Sequence, residues 1–218
     1  MGLSPATIVL WAVPVVFAIT LHEAAHGYIA MLLGDRTAYM LGRVTLNPLK
    51  HIDPVGTIAV PGFLIAVSAL THAPLFIFGW AKPVPVNFDA LRSPKRDMFW
   101  VAGAGPLANF VMAVLWGLLL KGASPGGAIA SGGLLEMAGA GIQINLMLLA
   151  LNLLPILPLD GGRIAVSLLP HGLATSYARL EPYGFMVVII LLATGVLSDL
   201  MRPILRIAEY ALGVVLGL

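Results

Sequence analysis

The chain has no cysteine. That absence excludes disulfides, thiolate zinc sites and a cysteine nucleophile, so any metal must be held by His, Asp or Glu. Charge is nearly as scarce: 10% of residues are charged against 59% hydrophobic, and mean hydropathy is +0.97. A composition this apolar belongs to a chain solvated by lipid. The net charge of +2 is too small, and its cations too scattered between apolar runs, to imply a nucleic-acid partner. Internal repeats are absent, as is any inverted pair of broken helices of the transporter kind. The expected fold class is an all-α polytopic protein of the lipid bilayer with five to six membrane segments.

What stands out against this background is His22-Glu23-Ala24-Ala25-His26, set in an apolar run from Leu3 to Leu33 that carries no other charged residue. On a helix the two histidines share one face, where their ring nitrogens can hold a zinc ion while Glu23 serves as general base. An ionisable side chain in hydrocarbon costs at least about 3 kcal/mol, so three within five residues need a compensating partner, and a metal ion is the most economical. The run amounts to roughly 45 Å of helix, more than a bilayer core needs, so it tilts or bends, with Pro14 as the kink and Gly34 as the stop. It is too long for a signal peptide and lacks a basic n-region, so it is expected to remain in the mature protein.

Residues 35–54 are polar and turn-rich, and the β-branched and aromatic content of 37–46 predicts a short strand or hairpin. From Pro54 to Ala81 no charge occurs, yet Pro61-Gly62 and Thr71-His72-Ala73-Pro74 interrupt the run. Such breaks suit a segment over 55–79 that dips into the membrane at least as well as a clean span. The loop 82–97 contains Lys82-Pro83-Val84-Pro85-Val86-Asn87. Its two prolines describe an extended edge strand that offers peptide hydrogen bonds only on the non-proline side. His51, beside Asp53-Pro54, reads as a solvated loop histidine, with a supporting role near the metal or pH sensing as alternatives.

An uncharged span over 98–120 opens with small residues that admit a neighbouring helix closely, and Asn109 can hydrogen-bond across that contact. The connector at about 121–133 is too short for an inserted domain. The next span, about 134–159, ends in Asn152-Leu153-Leu154-Pro155-Ile156-Leu157-Pro158-Leu159-Asp160-Gly161-Gly162. Two prolines and two glycines unwind the helix where a carboxylate appears, and unwound backbone at membrane depth is tolerated only where it lines a site. A catalytic zinc on two histidines needs one further protein ligand and an open position. Glu136, Glu181, Asp199 and Glu209 sit at ordinary span ends, which leaves Asp160. Segments at 183–197 and 203–218 follow, the second a short span or an interfacial helix.

Together, His22-Glu23-x-x-His26, Gly105-Pro106-Leu107-Ala108-Asn109, and Asn152-x-x-Pro155 leading to Leu159-Asp160-Gly161 resemble the site-2 protease family of intramembrane zinc metalloproteases, over residues 22–162. The resemblance implies one Zn2+ on His22, His26 and Asp160, with Glu23 as acid/base, and hydrolysis of peptide bonds within or near the transmembrane helices of other proteins. It also implies that Asn152 hydrogen-bonds the substrate backbone or the developing oxyanion. Residues 79–87 look like the compact prokaryotic branch, which makes Val84, Val86 and Asn87 candidate contacts to an unwound substrate. Asn109 joins them as a candidate substrate-binding residue, with a purely interhelical hydrogen bond as the alternative. Larger members insert a PDZ domain where this chain has its short connector, so selection by such a domain is excluded. The implied organisation is one membrane-embedded metalloprotease domain over 1–218, with a catalytic core at about 3–162 and accessory segments at 183–218.

If His26 and Asp160 share an ion, their spans are parallel and the span between them antiparallel. The loops 35–54 and 82–97 carry seven of the twelve Lys and Arg residues, which by the positive-inside rule makes both cytoplasmic. This predicts an outside N-terminus, a re-entrant 55–79 and an active site nearer the cytoplasmic face of a prokaryotic cell membrane. The sequence leaves a homo-oligomer open. The rival class is a membrane metal transporter or metal-binding protein, but transport predicts further ionisable groups along the spans, and hardly any exist beyond the one cluster.

Overall fold

In lipid a backbone amide must find its partner within its own segment, so long apolar runs fold as helices. The computed structural model describes residues 5–71, 81–124 and 132–217. Its helices are α1 (Pro5–Leu32), α2 (Thr37–Met40), α3 (Val60–Thr71), α4 (Pro94–Ala123), α5 (Gly132–Asn152), α6 (Asp160–Leu168), α7 (His171–Ala178), α8 (Glu181–Ala193) and α9 (Val196–Leu216). Three stretches are long and apolar enough to cross a membrane, Leu10–Leu32 in α1, Pro94–Ala123 and Gly132–Asn152. The pair α7 and α8, bent by 65°, makes a fourth if counted as one span. The count expected from hydropathy was higher because α9, although 21 residues long, carries Asp199, Arg202, Arg206 and Glu209. The other contributor, 55–79, is helical from Pro54 to Thr71; its remainder, and so its return or crossing, lies outside the described residues.

Packing follows the logic of a lipid solvent. Small residues fill the interior, where Ala18, Ala30, Ala113 and Ala150 are fully buried, while Phe17, Leu107, Leu115 and Leu118 are each more than half exposed. Association then depends on close backbone approach and on a few buried amides rather than on hydrophobic burial. Antiparallel α4 meets α1 with Val101 at His26 and Asn109 at His22 and Ala18. In turn α5 runs antiparallel to α4, with Asn145 at Asn109 and Gly141 under the Trp116 ring. Thus α1 and α5 are parallel, as the shared-ion argument requires. Finally α9 runs back along both, Leu197 and Met201 packing near Ala150 and Leu154, and Leu212 and Leu216 near Ala113 and Leu146.

The hairpin expected at 37–46 is not formed, and the described residues contain no strand. A glycine cap explains the difference. Gly34 (φ +119°) ends α1 with Asp35 N–H on Ala30 O at 2.9 Å, and Gly42 (φ +63°) ends α2 with Arg43 N–H on Ala38 O at 2.9 Å. Both are Schellman closures, and the second falls inside the stretch that reads as a strand, turning residues 37–43 into a short helix and its cap. The segment 82–87, expected as an edge strand, has no regular secondary structure and pairs with no strand among the described residues.

This loop is tied down from several sides. The Asp35 carboxylate accepts from Thr37 N at 2.8 Å and from Asn87 N at 2.7 Å, Arg92 N donates to Leu33 O at 3.0 Å, and Lys82 N donates to His51 O at 2.9 Å. Leu91, Val86 and Phe88 pack with Ala30 and Val101. His51 is not the solvated histidine the loop composition suggests: it is 3% exposed with Nε2 at 3.0 Å from Thr45 O.

Burial alone would raise the Asp35 pKa, but the hydrogen bonds from Thr37 and Asn87 outweigh it and hold the carboxyl below its ordinary value. A lowered folded-state pKa contributes stability that is present above the unfolded value of about 4 and is lost as pH falls through the folded one. Asp35→Asn is therefore expected to cost about 1–3 kcal/mol at neutral pH, with the gap to wild type closing below about pH 4. Thermal unfolding in detergent across that range measures it. A gap that ignores pH would show that charge is not what ties the loop.

Candidate active site

Helix α1 places His22 and His26 one turn apart, their rings edge to face with centroids 4.7 Å apart. Asp160 reaches them because the chain breaks after Asn152 and restarts as α6 with Asp160 in its first turn. The restart is tight. A Cβ on Gly161 would lie 2.4 Å from the carbonyl oxygens of Leu153 and Leu154, and one on Gly162 would lie 2.5 Å from Leu157 N. Only glycine lets the new helix begin against that turn.

The hydrogen bonds decide which ring nitrogens are free. Asn145 Nδ2 donates to Gly141 O at 2.8 Å, a carbonyl that can only accept, so Asn145 Oδ1 must face Asn109 Nδ2, at 2.9 Å. That leaves Asn109 Oδ1 to accept from His22 Nδ1 at 2.6 Å, while His26 Nδ1 donates to Val101 O at 2.7 Å. Both imidazoles are thus held as Nδ1–H tautomers with bare Nε2 atoms, the arrangement that supports a metal-ligating histidine.

These bare atoms face one another. His22 Nε2 and His26 Nε2 are 3.1 Å apart, and each is 3.3 Å from Asp160 Oδ2, which is buried with no hydrogen-bond partner. Three lone-pair donors at this spacing repel unless a cation lies among them, and tetrahedral zinc with bonds of 2.0–2.1 Å sets its donors about 3.3 Å apart. The donor set fits a zinc ion with three protein ligands, and among the described residues it is the one such group. Gly105 forms its floor, since a Cβ there would lie 2.4 Å from His26 Nε2 and 2.5 Å from His22 Cε1.

The donors open on a cleft of about 750 Å3. Its lining includes Val84, Val86 and Phe88 from the loop, Pro158, Leu159 and Phe185, and the polar side chains of Glu23, Asn152 and Arg163. Glu23 Oε2 accepts from Val84 N at 2.7 Å, and Asn152 Nδ2 is turned back onto Leu148 O at 3.0 Å. The structure therefore brings His22, Glu23, His26, Asn152, Asp160, Val84 and Val86 together. Two expected substrate contacts lie elsewhere. Asn109 is fully buried behind His22 with its amide consumed by His22, Asn145 and Ala18 O. Asn87 donates its N–H to Asp35 and accepts from Asp89 N on Oδ1, capping a turn, and it does not line the cleft. Gly105, Asn145 and Arg163 were not anticipated as site residues; a second asparagine in an apolar span was the available signal for Asn145.

Residues 120–194, which include the unwound turn and Asp160, match peptidase family M50. Over 198 residues the chain is 39% identical to YwhC of Bacillus subtilis, which bears the name of a zinc metalloprotease, covering 89% of this chain and 84% of that one. The chain belongs to peptidase family M50. It is similarly related to Rip2 of Mycolicibacterium smegmatis, 32% identical over 183 residues, and to Rip2 of Mycobacterium tuberculosis, 28% over 172. This M50 chain spans 65% and 54% of the two Rip2 proteins. No solved structure matches it. It is a metalloprotease of the membrane, and its polar machinery is collected where α1, α4 and α6 meet.

Gly105→Ala is expected to expel the metal, whereas Gly103→Ala, which has open space around it, should keep it. Asn109→Ala should weaken metal binding about 10–100-fold by freeing the His22 ring. Metal quantified in purified protein checks both, and a Gly105→Ala protein with full metal content would contradict the packing.

Proposed function

We propose that this M50 peptidase is an intramembrane zinc metalloprotease that hydrolyses peptide bonds within or near the transmembrane helices of substrate proteins. What carries the reading is the triangle of bare donors on His22, His26 and Asp160 beside Glu23, in a bundle whose outer faces suit lipid. His22, His26 and Asp160 hold one zinc ion, which when bound activates water and polarises the scissile carbonyl. Glu23 moves the proton. With Oε2 engaged by the Val84 amide, Oε1 is the atom that takes a proton from the attacking water and returns it to the leaving amine.

A helical substrate has its carbonyls locked in hydrogen bonds and must unwind before cleavage. The segment at Val84 and Val86 suits the frayed strand, since Val84 C=O and Val86 N–H take no partner among the described residues while Pro85 offers no donor. Asn152, which also lines the cleft, turns from Leu148 O to the substrate. Asn109 orients His22 in place of touching substrate.

The whole of 1–218 acts as one membrane domain, with α1, α4, α5, the α7 and α8 pair, α9 and the helical stretch that includes α3 as its five to six membrane segments. The bond from Asn87 N to Asp35, which joins the two cation-rich loops, supports a site near the cytoplasmic face. Bacterial relatives support a prokaryotic cell membrane.

Glu23→Gln is expected to retain zinc while proteolysis of single-span substrates in proteoliposomes falls by about 10²–10⁴-fold. Cleavage at the wild-type rate, or zinc flux without cleavage, would overturn the assignment. Because the chain lacks cysteine, single cysteines at exposed Leu49 and Asp89 report the face: impermeant reagents should label both from the cytoplasmic side only.

A further inference from the structure

Glu23 is held through one peptide unit. Its Oε2 accepts the Val84 N–H at 2.7 Å, and the carbonyl at the other end of that unit belongs to Pro83. A trans peptide is a rigid plane with its C=O and N–H pointing in opposite directions. Whatever grips the Pro83 oxygen therefore sets where the Val84 hydrogen points. Arg43 grips it: Nη2 donates to Lys82 O at 2.8 Å and to Pro83 O at 3.3 Å.

We propose that Arg43 is a positioning residue for the general base, acting on Glu23 through the Pro83–Val84 peptide; the proposal rests on Glu23 being that base. Arg43 has no carboxylate partner among the described residues, and its Nε is buried without a partner. Its bonds go to backbone alone, so it is not one half of a structural ion pair. It is also well anchored. The Schellman closure at Gly42 sets its backbone, and Lys82 N on His51 O, with the buried His51 ring on Thr45 O, fixes the peptide next to the one it holds.

The neighbouring prolines stiffen the link. Pro83 has its own φ locked, and Pro85 confines Val84 to extended geometry. The Val84 side chain packs over Gly27, where a Cβ would stand 3.0 Å from Val84 Cγ1. The N–H that orients the base and the C=O open to substrate thus sit on one residue, so a chain laid along Val84 is registered to the same rigid piece that aims Glu23. Arg43 is the cation that holds this piece in place.

Two measurements test the link in the full chain. In purified, zinc-loaded protein, Arg43→Ala is expected to lower kcat about 10–100-fold with zinc content unchanged and with KM moving less than kcat. Arg43→Lys, which keeps a donor for one carbonyl, should recover part of that. In a Glu23→Gln background Arg43→Ala should add no further loss. The second measurement needs no activity: amide exchange at Val84 in 15N-valine-labelled protein in micelles, with or without zinc. Exchange should be slow in wild type and about tenfold or more faster in Arg43→Ala and in Glu23→Ala. Unchanged Val84 exchange overturns the proposal, as does loss of activity that tracks loss of zinc or no rescue by lysine. If wild type cleaves nothing, the protease reading fails by itself, and the exchange experiment still decides whether Arg43 governs the Glu23 contact.

Discussion

Two imidazole nitrogens and a carboxylate oxygen, all bare and all within 3.3 Å of one another, form an arrangement that a lipid-embedded bundle tolerates only around a cation. Much of the described chain can be understood as holding those three atoms in place. Without the ion, each would need a hydrogen-bond donor that the apolar surroundings do not supply. With it, the polar groups become mutually satisfying, and the surrounding helices can be built from small apolar residues.

The support comes from backbone carbonyls. Gly141 O orients Asn145, Asn145 orients Asn109, and Asn109 sets the His22 tautomer, while Val101 O does the same for His26. Carbonyls suit this task because they cannot flip from acceptor to donor. The close helix approach that makes the chain of bonds possible depends on glycine at 105 and 141, where a side chain would strike the His22 and His26 rings or Trp116. Specificity of assembly and preparation of the metal ligands are therefore one set of contacts.

The Glu23 carboxylate is held from outside the membrane spans. Loops 35–51 and 81–92 are not packed by a large core; they are stitched by backbone bonds to Asp35, Arg43 and His51. This loop assembly delivers a single amide to Glu23 and lines one wall of the cleft. Its stability and the placement of the Glu23 carboxylate thus share the same few hydrogen bonds.

Residues at 22, 23 and 26 announced themselves, because ionisable groups at helical spacing in an apolar run admit few explanations, and the broken helix before Asp160 pointed to the third donor. Parallel α1 and α5 followed from requiring one ion. The short elements were less legible. Local β-propensity at 37–46 lost to a short helix closed by left-handed Gly42, because a helix cap depends on φ at one residue and propensity sums over many. The partners of Asn109, Asn87 and His51 were illegible for a different reason: a polar side chain looks the same in sequence whether it meets substrate, solvent or a buried carbonyl. Sequence alone determined the lipid solvent, the donor types and their order along the chain. Only the tertiary structure decided which nitrogens are bare, which amides are spent and which loop touches Glu23, because those depend on partners 36 to 91 residues away that no local pattern encodes.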